Sequence, residues 1–470
     1  MDRDLAQRLA RIVDPSGPQA VAAAAAFVLT FYVGLALAYR DAIPLFEAPD
    51  EPSHMHYAAF VSERNDLPRQ RPLEVPGEGM QPPLVYVLAA PLLDNRIDVA
   101  WAVRELGRAM FPLYANPRTE GGGPAIAYHV HGLRMFTTDG SLEPLRVLRS
   151  TSLVFGLLTV ILTFAAIWRL SRDARFALLG GGLLAFNHQF LYCSGYFSND
   201  PAAAAIGAAA LWVVVRALED AGRAPLRRHN VVGAFVIALG VLTKSSTLPG
   251  LGAAAVTLVA IDPRVRREVM TDTGIAAALV VVLAGPYLIW AGEARGGLLG
   301  VNAMLASSAS MMQPDRFGGV LPYLTGLYWD ATFESYWARF GWFNVTVPRA
   351  TYLAFVALTW MGILGWLAGR WREPWEAVRS RALRLYLFGA FLTTLAAHVA
   401  LNFVVVSVQG RQLFAVAPQA AFLLALGIYR LIGSERRLLP IAIAIVLALL
   451  ALDVYCLRGV LMPAYRIAAG

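Results

Sequence analysis

Apolar runs close to twenty residues long recur from residue 19 to residue 458, and they fix the class of fold before any single residue is weighed. Such runs match the hydrocarbon thickness of a bilayer, where each backbone N–H and C=O must find its partner within the protein. Only helices and closed barrels meet that demand. These runs are continuously apolar rather than alternating, which excludes the barrel. The composition agrees: 57% of the 470 residues are hydrophobic and 15% are charged, and mean hydropathy is +0.53. The chain reads as an all-α polytopic membrane protein.

Hydropathy places about eleven spans, near 19–39, 146–168, 175–193, 201–217, 230–248, 249–261, 273–291, 351–369, 385–407, 412–430 and 438–458. The pair at 230–261 is interrupted by "LPG". No soluble domain and no internal repeat is visible, so residues 1–470 read as one transmembrane domain. Two long connections remain, about 40–145 and 292–350, and long ordered loops usually carry function. "PPLVYVLAAPLL" (82–93) is too short to cross a bilayer and reads as a helix that lies in the interface or re-enters it.

The loop charges orient the bundle. "RLSRDAR" (169–175), "EDAGRAPLRRH" (219–229), "DPRVRRE" (262–268), "RWREPWEAVRSRALR" (370–384) and "RLIGSERR" (430–437) fall on one side with Arg3, Arg8 and Arg11. The short loops of the other side, "GYFSND" (195–200) and "SVQGR" (407–411), are nearly bare of basic residues. Positive charge stays inside, so the Arg-rich face and the N-terminus are expected to be cytoplasmic and both long connections extracytoplasmic. The net charge of +8 then reflects topology rather than a nucleic-acid partner. The run from Gln19 to Tyr39 is too long for a signal-peptide core and reads as a retained span. Cys193 and Cys456 have no metal-ligand spacing and read as small apolar residues.

Just past the first span comes "APDEPSHMHY" (48–57). Asp50 precedes Glu51-Pro52, a helix-start pattern, so it can cap a helix. A carboxylate desolvated at a lipid–water boundary also suits a general base, and the two roles are compatible. Glu51 points a quarter-turn or more away and would orient a donor or take a charge partner. His54 lies one turn beyond Asp50 on the same face, and His56 points elsewhere. A second H-x-H pair, His129 and His131, recurs in the same loop, but the spacing fits no zinc pattern and no metal is assigned. In "SNDP", Asn199 and Asp200 either start a helix at Pro201 or add a second carboxylate to an outer cavity. Lys244 in "LTKSST" is the single lysine of the chain, and Arg411 in "VQGRQLF" is the one arginine of a bare loop. Lys244 either snorkels or serves function, and the two cations together would suit an anionic lipid head group. His188 and Gln189 read as internal hydrogen-bonding groups. Residues 323–345 are rich in Trp, Tyr and Phe, which suits an interfacial belt or sugar contacts, with Asp330 and Glu334 on one helical face.

The order of "PDEPSH", "QPPLVYVLAAPLL", "FSNDPAAAA", "GVLTKSSTLPG", "FGWFNVTVP" and "GRQLFAVAPQAAFLLALG" resembles the GT-C superfamily of membrane glycosyltransferases, closest to its protein-mannosyltransferase-like and related bacterial members. The resemblance implies a GT-C-like bundle whose long first extracytoplasmic loop contains juxtamembrane helices. It implies transfer of a sugar from polyprenyl phosphate to a glycan, lipid or protein acceptor, at the outer face of a bacterial inner membrane. Asp50 would be the catalytic base and Glu51 the second acid, with Lys244 and Arg411 on the lipid phosphate. His54, His56, Gln81, Asn199, Asp200 and Asn344 are the candidates for the substrate cavity. No cofactor is implied, and a divalent metal is not indicated. In-line attack with one base would invert the anomeric carbon. The alternative is a transporter or flippase for a lipid-linked or anionic substrate; the lack of repeats and of mid-span charges argues against it.

Overall fold

The structure, a computed structural model, describes residues 14–45, 47–69, 74–75, 77–93, 143–221, 226–262, 264, 266–295, 314–369 and 374–466. His129, His131, Arg3, Arg8 and Arg11 lie outside them. The helices are α1 (Pro18–Ala42), α2 (Glu51–Arg64), α3 (Leu84–Ala89), α4 (Glu143–Ser171), α5 (Ala174–Ala185), α6 (His188–Gly195), α7 (Asp200–Asp220) and α8 (Arg227–Val241). They continue with α9 (Leu248–Ala260), α10 (Arg266–Arg295), α11 (Trp329–Trp337), α12 (Arg349–Ala368), α13 (Arg381–Leu401), α14 (Ala417–Ile432) and α15 (Glu435–Tyr455). Among the described residues the only sheet is a hairpin that pairs Arg339–Phe340 with Val345–Thr346.

Among the described residues eight helices are long and apolar enough to cross a membrane. The other three sequence-derived spans are helical but shorter. Span 175–193 is the broken pair α5–α6, and 230–248 and 249–261 contain α8 and α9. At the α5–α6 break the Asn187 side chain accepts a hydrogen bond from the Phe190 N–H at 2.9 Å and so caps the second piece. The break is tolerated because nearly every residue on both sides is buried in protein, away from lipid. "PPLVYVLAAPLL" folds as α3 followed by the 3-10 turn Ala90–Leu92.

Small residues set the packing distances. α7, "DPAAAAIGAAALWVVVRALED", is the inner helix, with 78% of its apolar stretch buried. A Cβ on Gly207 would lie 1.9 Å from the Ala415 carbonyl oxygen, so only glycine lets the chain before α14 approach α7. α12 and α14 cross in the same way: a Cβ on Gly365 would lie 1.7 Å from the Gly427 carbonyl oxygen.

One buried ion pair ties the first loop to the bundle. Arg149 on α4 donates to both Glu51 oxygens at 2.7 Å. It also donates to the carbonyls of Arg40 at 3.0 Å, Ile43 at 2.6 Å and Pro44 at 2.9 Å. Glu51 accepts a further bond from the Phe197 N–H at 3.1 Å. The chain between α1 and α2 is therefore clamped by one guanidinium. Removing one partner leaves the other charge buried and unpaired, which costs about 3–5 kcal/mol. Arg149→Met alone and Glu51→Gln alone are expected to lose stability of that order in denaturant titrations in detergent, with Glu51→Gln/Arg149→Met losing less than the sum. A loss near zero in both single variants would mean that the pair is solvated.

Candidate active site

Four charged side chains from distant parts of the sequence meet at one end of the bundle. Asp50 occupies the N-cap position of α2, yet its side chain does not cap the helix. Its backbone is left-handed, with φ +63° and ψ −3°, a conformation that costs a non-glycine residue energy. The side chain instead accepts a hydrogen bond from Arg411 Nη2. Asp200 is the first residue of α7, ahead of Pro201, and the N-cap position falls to Asn199, whose side chain makes no cap. Asp200 Oδ1 accepts from Lys244 Nζ at 2.5 Å and its Oδ2 from Arg411 Nη1 at 2.9 Å. Both helix-start readings of these aspartates were open in the sequence, and in each case the carboxylate turns to a cation.

Lys244 sits in the turn between α8 and α9 and also donates to Asn199 Oδ1 at 3.0 Å. Arg411 lies on the 3-10 segment Gly410–Val416. Its remaining donors go to Gln409 Oε1, at 2.9 Å from Nε and 2.6 Å from Nη2, and to the Tyr196 hydroxyl at 3.1 Å. A Cβ on Gly410 would lie 2.3 Å from the Thr332 carbonyl oxygen, so α11 presses directly on the backbone before Arg411. Gly410 N–H also donates to Ser335 Oγ of α11 at 2.8 Å. The Arg411 side chain is 4% exposed and Asp200 1%, against 12% for Asp50 and 13% for Lys244. Asp50 and Lys244 are the members that solvent and ligand can reach.

A ring of polar groups backs this cluster. His54 Nδ1 lies 2.8 Å from the Tyr86 hydroxyl. Asn199 Nδ2 donates to Gln81 Oε1 at 3.3 Å and lies 3.5 Å from the Tyr86 hydroxyl. Arg295, at the end of α10, donates to the carbonyls of Met80 at 2.9 Å and Gln81 at 3.0 Å and so fixes the turn that bears Gln81. Burial pushes the His54 pKa down to about 3, against the pull of Asp50, so the imidazole is neutral at physiological pH. His54, Gln81, Asn199 and Asp200 are thus joined to Asp50, Lys244 and Arg411, as the sequence reading grouped them.

Three candidates fall elsewhere. Glu51 stands beside Asp50 but is bound to Arg149 and the Phe197 N–H. His56 is buried, neither ring nitrogen has a hydrogen-bond partner among the described residues, and burial lowers its pKa to about 4. Asn344 lies in the turn of the hairpin, and no contact among the described residues links it to the charges. Glu334 of the aromatic segment pairs with Arg339 at 2.9 Å. Among the described residues no group of three or more His, Cys, Asp or Glu is placed to hold a metal ion.

Sequence reasoning missed Glu78. It lies on the 3-10 turn Glu78–Met80, three residues before Gln81. Burial of its carboxyl group, and then the charge of Asp50, raise its pKa from the ordinary 4.5 to about 7. A single glutamate in "PGEGMQPP" shows no periodicity and no partner, so only its proximity to Gln81 could have drawn notice.

An apolar cavity of about 370 Å³ is lined by residues such as Leu183, Phe190, Tyr336, Trp366, Phe391 and Leu413. Leu413 is two residues from Arg411, but neither Asp50, Asp200, Lys244 nor Arg411 lines the cavity. Its walls come from α5, α6, α11, α12, α13 and α14.

Residues 142–290 match the family model described as dolichyl-phosphate-mannose-protein mannosyltransferase, a stretch that includes Asp200 and Lys244 but not Asp50 or Arg411. No curated protein matches the chain. Among solved structures, ArnT from Cupriavidus metallidurans in the apo state is similar, with a TM-score of 0.50 and 12% identity over 95% of this chain and 75% of that one. The same protein bound to undecaprenyl phosphate gives a TM-score of 0.48 and 12% identity over 95% and 75%. The archaeal oligosaccharyltransferase AglB from Archaeoglobus fulgidus, in complex with an inhibitory peptide and a dolichol-phosphate, gives 0.43 and 14% identity over 93% and 56%. At such identities the likeness is one of fold.

The shifted carboxyl of Glu78 gives a signed prediction. Its pKa in the folded chain lies above the ordinary value of 4.5, so folding favours the protonated form. The resulting stabilisation is complete below about pH 4.5 and is lost as pH rises through about 7. The melting temperature of the native protein minus that of Glu78→Gln is expected to fall between about pH 5 and about pH 8. A difference that stays flat across this range would show that Glu78 is solvated.

Proposed function

We propose that this chain, a polytopic membrane protein with the GT-C glycosyltransferase fold, transfers a hexosyl or pentosyl unit from a polyprenyl-phosphate donor to an acceptor hydroxyl. The observation that carries the reading is that Asp50, the more exposed of the two carboxylates, pairs with Arg411, and that Asp200 joins Arg411 to Lys244. Asp50, Lys244 and Arg411 supply a base and an anion site, the two things that displacement of a lipid phosphate requires.

In the proposed step the acceptor oxygen attacks the anomeric carbon, and the bond from that carbon to the phosphate oxygen breaks. The electron pair leaves with the phosphate, which becomes a monoester of the polyprenol. Asp50 takes the acceptor proton, and Lys244 and Arg411 stabilise the charge gained by the leaving group. One base and in-line attack give inversion. Neutral His54, with Gln81 and Asn199, offers hydrogen-bonding groups for sugar hydroxyls. The apolar cavity next to Leu413 suits an isoprenoid tail whose phosphate reaches Arg411. Glu51 acts through Arg149 by placing residue 50 and does not itself touch substrate. The Arg-poor loops around the cluster support an extracytoplasmic site and a cytoplasmic N-terminus, and a bacterial inner-membrane location follows from the family resemblance. Residues 1–470 work as one domain.

The test uses full-length protein in nanodiscs and a panel of polyprenyl-phosphate sugars, with release of polyprenyl phosphate as the readout. Asp50→Asn is expected to fold and to lose about 100- to 10,000-fold in turnover, the range for a removed general base. Full activity in this variant would move the base to Glu78. No turnover of any donor by native protein, together with passage of intact lipid-linked sugar across vesicles, would favour a flippase.

A further inference from the structure

The cations assigned to the donor phosphate are already engaged. Arg411 makes five hydrogen bonds, as many as it has N–H groups, to Gln409, Tyr196, Asp200 and Asp50. Lys244 uses two of its N–H groups, on Asp200 and Asn199, and among the described residues the third has no acceptor. A phosphate that enters the site thus meets an open donor on Lys244 and none on Arg411. To reach the guanidinium it must displace a partner. Gln409 is tied to Arg411 by two bonds from two residues away, and Tyr196 and Asp200 are no more than 1% exposed. The Asp50 side chain is 12% exposed and hangs from a left-handed residue at a helix start.

We propose that the Asp50 carboxylate occupies the anion position on Arg411, and that the phosphate of the polyprenyl donor takes its place and so releases the base. The proposal rests on the donor class given above. The exchange conserves charge on Arg411, because one monoanion, a phosphodiester, replaces another, a carboxylate. The two carboxylates and two cations of the cluster already sum to zero, so a phosphate that entered without displacing a carboxylate would leave the site with a net negative charge. A carboxylate parted from a guanidinium becomes more basic. Asp50 therefore gains proton affinity only when a donor is in place, and without a donor it stays quenched. After transfer Asp50 is protonated and neutral. Loss of that proton and departure of the lipid phosphate return it to Arg411.

Binding of undecaprenyl phosphate, which carries no sugar and cannot turn over, separates this exchange from the chemistry. As a monoester it is mostly a dianion at about pH 8, and it competes for Arg411 with one charge more than the donor's phosphodiester. In nanodiscs at about pH 8, Asp50→Asn is expected to bind this lipid about tenfold or more tighter than native protein, since it no longer competes with a charged hydrogen bond. Glu78→Gln removes a neighbouring negative charge that does not touch Arg411 and is expected to change affinity much less. Arg411→Met is expected to weaken binding. The proposal is overturned if Asp50→Asn binds no tighter than native protein, or if Glu78→Gln tightens binding as much, which would reveal a general field effect. A second measurement needs no variant. Carbodiimide labelling of Asp50 in the native protein, read by mass spectrometry, is expected to rise with undecaprenyl phosphate and not with undecaprenol; unchanged or reduced labelling overturns the exchange. Failure here leaves the donor class standing wherever the turnover panel is positive.

Discussion

A guanidinium buried between two carboxylates governs this molecule. Arg411 is 4% exposed and holds Asp50 from the first loop and Asp200 from the start of α7. An unpaired charge in that position would cost several kcal/mol, so the chain around it must deliver the partners accurately. Gly207 lets the segment bearing Arg411 come down onto α7, and Gly410 lets α11 close over it. Arg149 and Glu51 clamp the turn that presents Asp50. Arg295 holds the backbone of Met80 and Gln81. Each of these contacts lies outside the cluster, and each serves its geometry.

The spans were legible in the sequence because bilayer thickness imposes a length and a polarity that hydropathy reads directly. The interruption of 230–261 was read at "LPG", a few residues past the turn that bears Lys244, but the break at Asn187 was not, because it depends on being wrapped in protein, which α5 and α6 achieve through contacts with several other helices. Lys244 and Arg411 stood out by contrast, as the single lysine and as an arginine in a loop otherwise free of basic residues. Asp50 and Asp200 were ambiguous for a physical reason. Capping and ion pairing draw on the same oxygen atoms, and the choice is made by partners far along the chain, 361 residues away for Asp50 and 211 for the Arg411–Asp200 bond.

Of the two openings left for Glu51, a donor contact or a charge partner, the structure shows the charge partner Arg149. Asp50 and Glu51 look like a catalytic pair, but successive positions at a helix start face different directions. One looks into the cluster and the other into the bundle, where Arg149 waits. The acid that electrostatics couples to Asp50 is Glu78, on a separate turn. Nothing in local sequence connects residues 50 and 78; the loop must fold back on itself to do so.

The distance between Asp50 and its partner has a consequence for biosynthesis. Asp50 and the clamp residue Glu51 leave the ribosome early, whereas Arg149 follows 98 residues later and Arg411 361 residues later. At roughly 5–20 residues per second, about 20–70 s pass between synthesis of Asp50 and of its cation. During that time the first loop has its α4 anchor but not its final one. The cluster of Asp50, Asp200 and Arg411 cannot assemble until the segment before α14 is in place. A chain that stops anywhere before residue 411 therefore lacks the cation that joins Asp50 to Asp200.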